Sequence, residues 1–375
     1  MLFQLDRARF MKFRIAKDDF LDGLQQVQHV VSTRATLPIL SNVLIEVVDD
    51  KLRFSTTDLD VGVRGTVSAE ISEKGSTTLP AKRLVSIVRE LPAAEVEVEV
   101  DDKNDANITC GPSFFKVVGL AADEFPPLPS FTEASEYRIP QALVKQALRR
   151  TSYAISSDET RYVLNGVFIS FKEGKMTLVA TDGRRLAMVE HELEFTASQE
   201  TEIIVPAKAI QELGRLSGDE GDVILKLQGN QLSFEIGESI IVSKLIEGNY
   251  PNYRQVIPGE HRYRISLSRE ALLDTVRRVS LLSSEKSNSV KLEFGDDSLA
   301  IIANSPDIGE AREDMAIKYD GPKLAIAFNP DFLMAPLRAL SEEELYLDLI
   351  DEMSPGVLRI DSDFLYVLMP MRVNG

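Results

Sequence analysis

A chain of 375 residues is longer than one hydrophobic core ordinarily serves, so two or three domains are expected. Hydrophobic residues at 44% and charged residues at 27% exclude a disordered or fibrous chain, and no apolar run approaches the ~18–20 residues of a membrane span. A net charge of −17 argues against simple attraction to nucleic acid, while one cysteine (Cys110) and three scattered histidines (His29, His191, His261) offer neither an intrachain disulfide nor metal-ligand spacing.

In chain order, the opening "MLFQLDRARF" carries acid and base too early for a secretory signal, which predicts a cytoplasmic protein. "MKFRIAKDDFLDGLQQVQHVV" from Met11 reads as a short strand, a turn and an amphipathic helix with Phe20, Leu21, Leu24 and Val27 at helical spacing. "SNVLIEVVDDKLRFSTTDLD" from Ser41 reads as two alternating strands around an Asp-rich turn. "STTLPAKRLVSIVREL" from Ser76 then gives a strand, a proline and a helix with Leu84, Ile87, Val88 and Leu91 on one face, and "EVEVEV" begins a further run of strands.

The same order returns twice. "EYRIPQALVKQALRRTSYAI" (from Glu136), "LNGVFISFKEGKMTLVATDG" (from Leu164), "EIIVPAKAIQELGRL" (from Glu202) and "DVILKL" form a second set. "HRYRISLSREALLDTVRRVSLL" (from His261), "NSVKLEFGDDSLAIIANSPD" (from Asn288), "KLAIAFNPDFLMAPLRAL" (from Lys323) and "ELYLDL" form a third. Pro80, Pro206 and Pro330 are spaced by 126 and 124 residues, and Arg14, Arg138 and Arg264 by 124 and 126. Proline is tolerated at such strand-to-helix junctions because a helix's first N–H groups have no intrahelical acceptor.

Self-similarity at a fixed interval identifies a repeat protein. The sequence predicts an α+β fold of three homologous domains, 11–134, 135–260 and 261–375, after a dispensable extension at 1–10. Each domain contains two strand–helix–three-strand units, with helices of about 11–15 residues on one face and antiparallel sheets on the other.

Charge is segregated by element. The six predicted helical windows carry a net +5 against −17 for the whole chain, leaving −22 on everything else. The window 140–153 has Lys145, Arg149 and Arg150 and no acid. Six like units at constant rotation trace an arc, and a basic, helix-lined inner surface suits a rod-like polyanion, double-stranded DNA. No glycine-rich nucleotide loop, helix-turn-helix or zinc spacing points to base reading, so binding is expected to be independent of base sequence. Two other classes compete. Asp58, Asp60 and Asp182 could hold Mg²⁺ in an enzyme, but Asn304 recurs at the matching place in the third copy, which fits a repeated turn. A protein-only scaffold with an acidic rim is the other alternative.

Taken together, "MKFRIAKDDFLDGLQQVQHVVSTRATLPILSNVLIE", "RYVLNGVFI", "VATDGRRLA", "IVPAKAIQEL", "GNYPNYRQVIP" and "YVLMPMRV" resemble the bacterial DNA polymerase III beta subunit family of sliding clamps, over essentially the whole chain from Met11. The resemblance implies a non-catalytic processivity factor without cofactor or metal. It implies a head-to-tail homodimer closing into a ring around DNA, opened by an ATP-driven clamp loader and tethering the polymerase III alpha subunit, other polymerases and repair proteins.

A partner-peptide groove between the second and third domains would comprise Leu164, Thr181, Gly183, Arg184, Arg185, Leu186, Pro251, Val256, Val367, Met369, Pro370, Met371 and Arg372, an adaptable apolar set. The DNA-facing candidates are Arg34, Lys82, Arg83, Lys145, Arg149, Arg150, Lys208, Arg215, Arg277 and Arg278. The subunit interface would pair the edge strand of Phe115 and Val117 with the helix end at Leu281 and Leu282. Arg184 stands where the family often has His, and Gln255 where it often has a basic residue, which bears on peptide preference.

Overall fold

The computed structural model describes residues 11–31, 37–132, 134–283 and 288–372; the expected extension 1–10 lies outside them. The first copy runs β1 (Met11–Ala16), α1 (Lys17–Val27), β2 (Asn42–Val48), β3 (Lys51–Thr57), β4 (Val61–Ser68), β5 (Glu70–Glu73), β6 (Ser76–Pro80), α2 (Ala81–Glu90), β7 (Glu95–Val100), β8 (Ala106–Cys110) and β9 (Ser113–Val117). The second runs β10 (Ser135–Pro140), α3 (Gln141–Thr151), β11 (Gly166–Lys172), β12 (Lys175–Thr181), β13 (Arg185–Glu192), β14 (Thr201–Pro206), α4 (Ala207–Leu216), β15 (Asp222–Gln228), β16 (Gln231–Ile236) and β17 (Ser239–Lys244). The third runs β18 (Tyr263–Ser268), α5 (Arg269–Val279), β19 (Val290–Gly295), β20 (Ser298–Ser305), β21 (Gly309–Ala316), β22 (Leu324–Phe328), α6 (Pro330–Ala339), β23 (Glu344–Leu349), β24 (Gly356–Arg359) and β25 (Phe364–Leu368).

Strand, helix and three strands therefore recur six times, with β5 as an addition. The helices are 10–11 residues long, at or below the lower end of the expected range. In α1, α3 and α5 the predicted tail is a separate tighter turn, at Gln28–Val30, Ser152–Ala154 and Ser280–Leu282.

Local chemistry sets these elements. In β7, Val96, Val98 and Val100 are buried while Glu95, Glu97 and Glu99 face outward, the period-two signature of a half-buried strand. In α1, Phe20, Gly23, Leu24 and Val27 form the buried stripe, and Gly23 is required because a Cβ there would stand 2.7 Å from the Phe54 ring. Pro80 and Pro206 close β6 and β14, and Pro330 opens α6 behind Asn329, whose side chain accepts from the Asp331 and Phe332 amides.

Each aligned arginine makes a cross-strand ion pair: Arg14 to Glu97, directly opposite, at 2.6 Å; Arg138, opposite Ile224, to Asp222 on the diagonal at 3.1 Å; and Arg264 to Asp348, directly opposite, at 2.7 Å. The first two are solvent-exposed and worth little. In the third, Asp348 is buried and accepts from both Arg264 and Arg359.

The chain divides into two compact units: the described residues of Met1–Lys145 with Lys208–Leu245, and of Gln146–Ala207 with Ile246–Gly375. The first unit holds a five-stranded sheet, β5-β1-β7-β8-β9, and an eight-stranded sheet, β10-β15-β16-β17-β4-β3-β2-β6. The second holds an eight-stranded sheet, β14-β11-β12-β13-β25-β24-β23-β18, and a four-stranded sheet, β21-β20-β19-β22. One pairing rule builds both large sheets, since the last strand of a copy joins the fourth strand of the copy before it: β17 on β4, and β25 on β13. The rule leaves β9 and β21 as unpaired edges, one in each unit.

Candidate functional site

The densest cluster of the expected groove residues lies in the second unit, where β13 of the second copy pairs with β25 of the third. The turn from β12 into β13 is over-determined by its own side chains. Asp182 Oδ1 accepts from the amides of Arg184 (2.9 Å) and Arg185 (3.1 Å), and Thr181 Oγ1 accepts from Gly183 N (3.1 Å) while donating to the Arg185 carbonyl (2.6 Å). Gly183 sits at φ +83°, a conformation that costs other residues energy. The Asp182 pattern is that of an Asx turn, so this carboxylate is occupied by the backbone.

The Arg184 carbonyl accepts from Met369 N at 3.0 Å, carrying the β13–β25 ladder one step past the end of β25. Below it, Leu186 lies directly opposite Val367, and both belong to an apolar cluster with Phe168, Val179, Ile204, Val357 and Leu365. Tyr250, Tyr253 and Ile257 pack against that cluster, and Tyr250 stacks on Phe168 with ring centroids 4.9 Å apart. Burial pushes the Tyr250 phenol up, so it stays neutral at ordinary pH.

Leu164 is also buried. Val256 and Met369 are 49% and 43% exposed, unusual for large apolar side chains, and Pro251, Gly183, Arg184 and Arg372 are exposed as well. Thr181, Pro370 and Met371 are half-buried, and Met371 N donates to the Ala327 carbonyl at 2.8 Å. Arg185 behaves differently from Arg184. Its Nε donates to Asp182 Oδ2 (3.0 Å) and its guanidinium lies 4.3 Å over the Phe332 ring, leaving the side chain 14% exposed as a prop beneath the turn. Tyr250, Tyr253, Ile257 and Phe332 are not singled out by the sequence, because an aromatic or aliphatic side chain looks the same there whether it supports a site or only fills a core. The motif "GNYPNYRQVIP" held three of the four.

The basic residues fall into three groups. Lys82, Arg83 and Arg149 are exposed and make no ion pair among the described residues. Lys145, Lys208, Arg215, Arg277 and Arg278 are tied to Asp219, Asp58, Glu212, Asp274 and Glu313, and Lys208 and Arg215 also donate to backbone carbonyls of Val30 and Gln26. Arg150 requires a correction to the expected phosphate set: its side chain is 3% exposed and paired with Glu342, so it is out of reach of a solvent-borne phosphate. A patterned sequence could not separate it from Arg149, one position away on the same helix. Arg34 lies outside the described residues.

Of the expected subunit-contact residues, Phe115 is 37% exposed on the edge strand β9 and Leu281 is 77% exposed. Leu282 is half-buried near the start of β21. Val117 is buried at 5%, and the large exposed side chains beside it are Phe114 (63%) and Val118 (69%). Among the described residues, no group of three or more His, Cys, Asp or Glu could hold a metal ion, and no helix is long and apolar enough to cross a membrane.

Strand-sharing repeats with an apolar turn site on the joint between copies define a modular clamp architecture. Residues 11–129, 138–252 and 254–372 match the N-terminal, central and C-terminal domains of the DNA polymerase III beta subunit. The beta sliding clamp of Chlamydia trachomatis is 36% identical over 369 residues, covering 98% of this chain and 89% of that protein, and that of Pseudomonas putida is 34% identical over 97% and 100%. A sliding clamp solved from Bacillus subtilis superposes with a TM-score of 0.92 at 31% identity, covering 97% of this chain and 99% of that one. One from Bartonella birtlesii, solved bound to griselimycin, gives 0.92 at 34%, covering 97% and 100%. The chain belongs to the DNA polymerase III beta subunit family, the bacterial sliding clamps, whose members are non-catalytic subunits of the replicative polymerase.

Proposed function

We propose that this protein is a cytoplasmic DNA sliding clamp that closes head-to-tail as a homodimer around double-stranded DNA and tethers polymerases and repair proteins through the groove at Arg184, Leu186, Val367 and Met369. The observation that carries the reading is the pairing rule. Within the chain, each copy's last strand completes the sheet of the copy before it; β9 has no preceding copy and β21 no following one. A second chain supplies both missing partners, β9 of one protomer against β21 of the other, with Phe114, Phe115 and Leu281 covered at the join. Such a heterologous contact repeated twice closes a ring, and closure makes the hold on DNA topological. The three domains run over 11–134, 135–260 and 261–375.

The exposed cations Lys82, Arg83 and Arg149 supply phosphate attraction without base reading, joined by Lys145, Lys208, Arg215, Arg277 and Arg278 where their acidic partners yield to phosphate. The groove takes a short apolar peptide, and griselimycin is expected to occupy the same place. The clamp loader acts on the protein from outside, since nothing in the groove chemistry calls for a nucleotide.

The test is retention on loaded circular DNA. Protein loaded by a clamp loader on a nicked circle should survive gel filtration in high salt and be released when the circle is linearised. Release from intact circles at moderate salt would defeat the topological reading, whereas equal retention before and after linearisation would point to ordinary electrostatic binding.

A further inference from the structure

The first unit contains a second copy of the groove's backbone, and its side chains explain why it should not act as one. The turn from β3 into β4 repeats the β12–β13 turn bond for bond. Asp58 Oδ1 accepts from Asp60 N (3.0 Å) and Val61 N (2.8 Å), while Thr57 Oγ1 accepts from Leu59 N and donates to the Val61 carbonyl, both at 3.0 Å. Leu59 sits at φ +81° where Gly183 has +83°. Lys244 N donates to the Asp60 carbonyl at 2.9 Å, as Met369 N does to that of Arg184. Strand register extends the match: Gly62 opposite Val242 repeats Leu186 opposite Val367, and Ser55 opposite Arg64 repeats Val179 opposite Met188.

The chemistry at these matched positions is reversed. The floor leucine is replaced by Gly62, and the vacated volume is filled from within the chain: a Cβ at Gly62 would meet Leu128 Cδ2 at 2.5 Å. The floor methionine is replaced by Arg64, half-buried, with its Nε lacking an acceptor, as does the buried Ser55 hydroxyl. Arg53 is a like-charged neighbour of Arg64, and Glu46 is the acid near both. At the mouth, Met369 is replaced by Lys244, whose Nζ bonds Asp60 Oδ1 at 3.0 Å. An apolar ligand side chain entering here would have to displace Leu128 and cover an incompletely paired guanidinium, each of which costs free energy, and would meet the charged Lys244 where the second unit offers the thioether of Met369; the Asp60–Lys244 pair is itself exposed and adds little.

We infer that Arg64, Leu128 and Lys244 are selectivity determinants that restrict apolar peptide ligands to the second-unit copy, giving one site per chain despite two matched backbones. This rests on the groove reading above. Relief of those three features converts the dormant copy into a site.

The experiment is calorimetric titration with griselimycin, combined with methyl NMR on labelled valines. The unaltered protein should bind one equivalent per chain and shift Val367 while leaving Val242 in place. The combined variant Arg64→Met, Leu128→Ala, Lys244→Met should bind a second equivalent, about tenfold or more weaker, and shift Val242. A second equivalent or a Val242 shift in the unaltered protein would overturn the inference, as would a folded triple variant that still binds one. Absence of any binding to the unaltered protein would instead sink the groove reading. Arg64→Met alone gives an independent readout: removing a poorly compensated guanidinium should raise the melting temperature, and a lowered one would overturn the role given to Arg64.

Discussion

Arg149 and Arg150 are neighbours in sequence, yet one faces solvent and the other is sealed against Glu342. The consequence is separable by mutation. Glu342→Ala leaves Arg150 buried without its counter-ion and should cost about 3 kcal/mol, the low end for a broken buried pair because Glu342 is itself a third exposed. Urea unfolding measures it, and a loss below the error of extrapolation would contradict the burial. Met369→Ala should weaken binding of a partner peptide about tenfold and leave the dimer intact, since Met369 contributes exposed apolar surface rather than core packing. Unchanged affinity would remove it from the site.

His191 adds a pH dependence. Burial lowers its pKa from the ordinary 6.5, the Asp363 charge acting in the opposite sense. With a depressed folded pKa, the stability contribution is complete above 6.5 and is lost as pH falls below it toward the folded value, because the unfolded chain takes the proton first. Stability of the natural protein should therefore decline as pH falls below 6.5 more steeply than that of His191→Gln. Parallel curves from the two proteins would exclude His191 as the source.

Among the elements, the edge strand β9 is the proposed seat of assembly. Its one buried position, Val117, is fixed by its own sheet, while Phe114, Phe115 and, just past the strand, Val118 are exposed in the monomer. Phe114→Pro removes an N–H that points out of the sheet, since Phe114 lies in a non-hydrogen-bonded pair opposite Thr109, and should halve the mass measured by light scattering, with little change in circular dichroism, because an edge strand tolerates proline far better than a central one. A dimer that persists would place the interface elsewhere. The helices show a related division of labour: in α2, Ala81, Leu84, Val85 and Val88 are buried, which leaves Lys82 and Arg83 on the opposite face.

For the whole molecule, the acid excess of the chain and the cation excess of its helices act at different ranges. At physiological salt the screening length is about 8 Å, so a polyanion held against the helices experiences the nearby cations more than the distant acids. Replacing Lys82, Arg83 and Arg149 with Glu should weaken association with linear DNA at low salt and flatten its salt dependence, while dimer mass and retention on loaded circles persist. Loss of circle retention together with linear binding would mean that charge, not topology, holds the DNA.

Periodicity alone exposed the six modules, the short helices and the segregation of charge, because each depends on residues close in the chain. The Asx turn at Asp182 and the Pro80, Pro206 and Pro330 junctions were legible for the same reason. Three features required tertiary structure: the burial of Arg150 and Val117, the support of the groove by Tyr250, Tyr253 and Phe332, and the closing of the matched turn at Asp58 by Leu128 and Lys244. Local pattern states which way a side chain points from its own element. What lies opposite is decided by strands and loops far away in sequence, and desolvation and pairing are properties of that meeting.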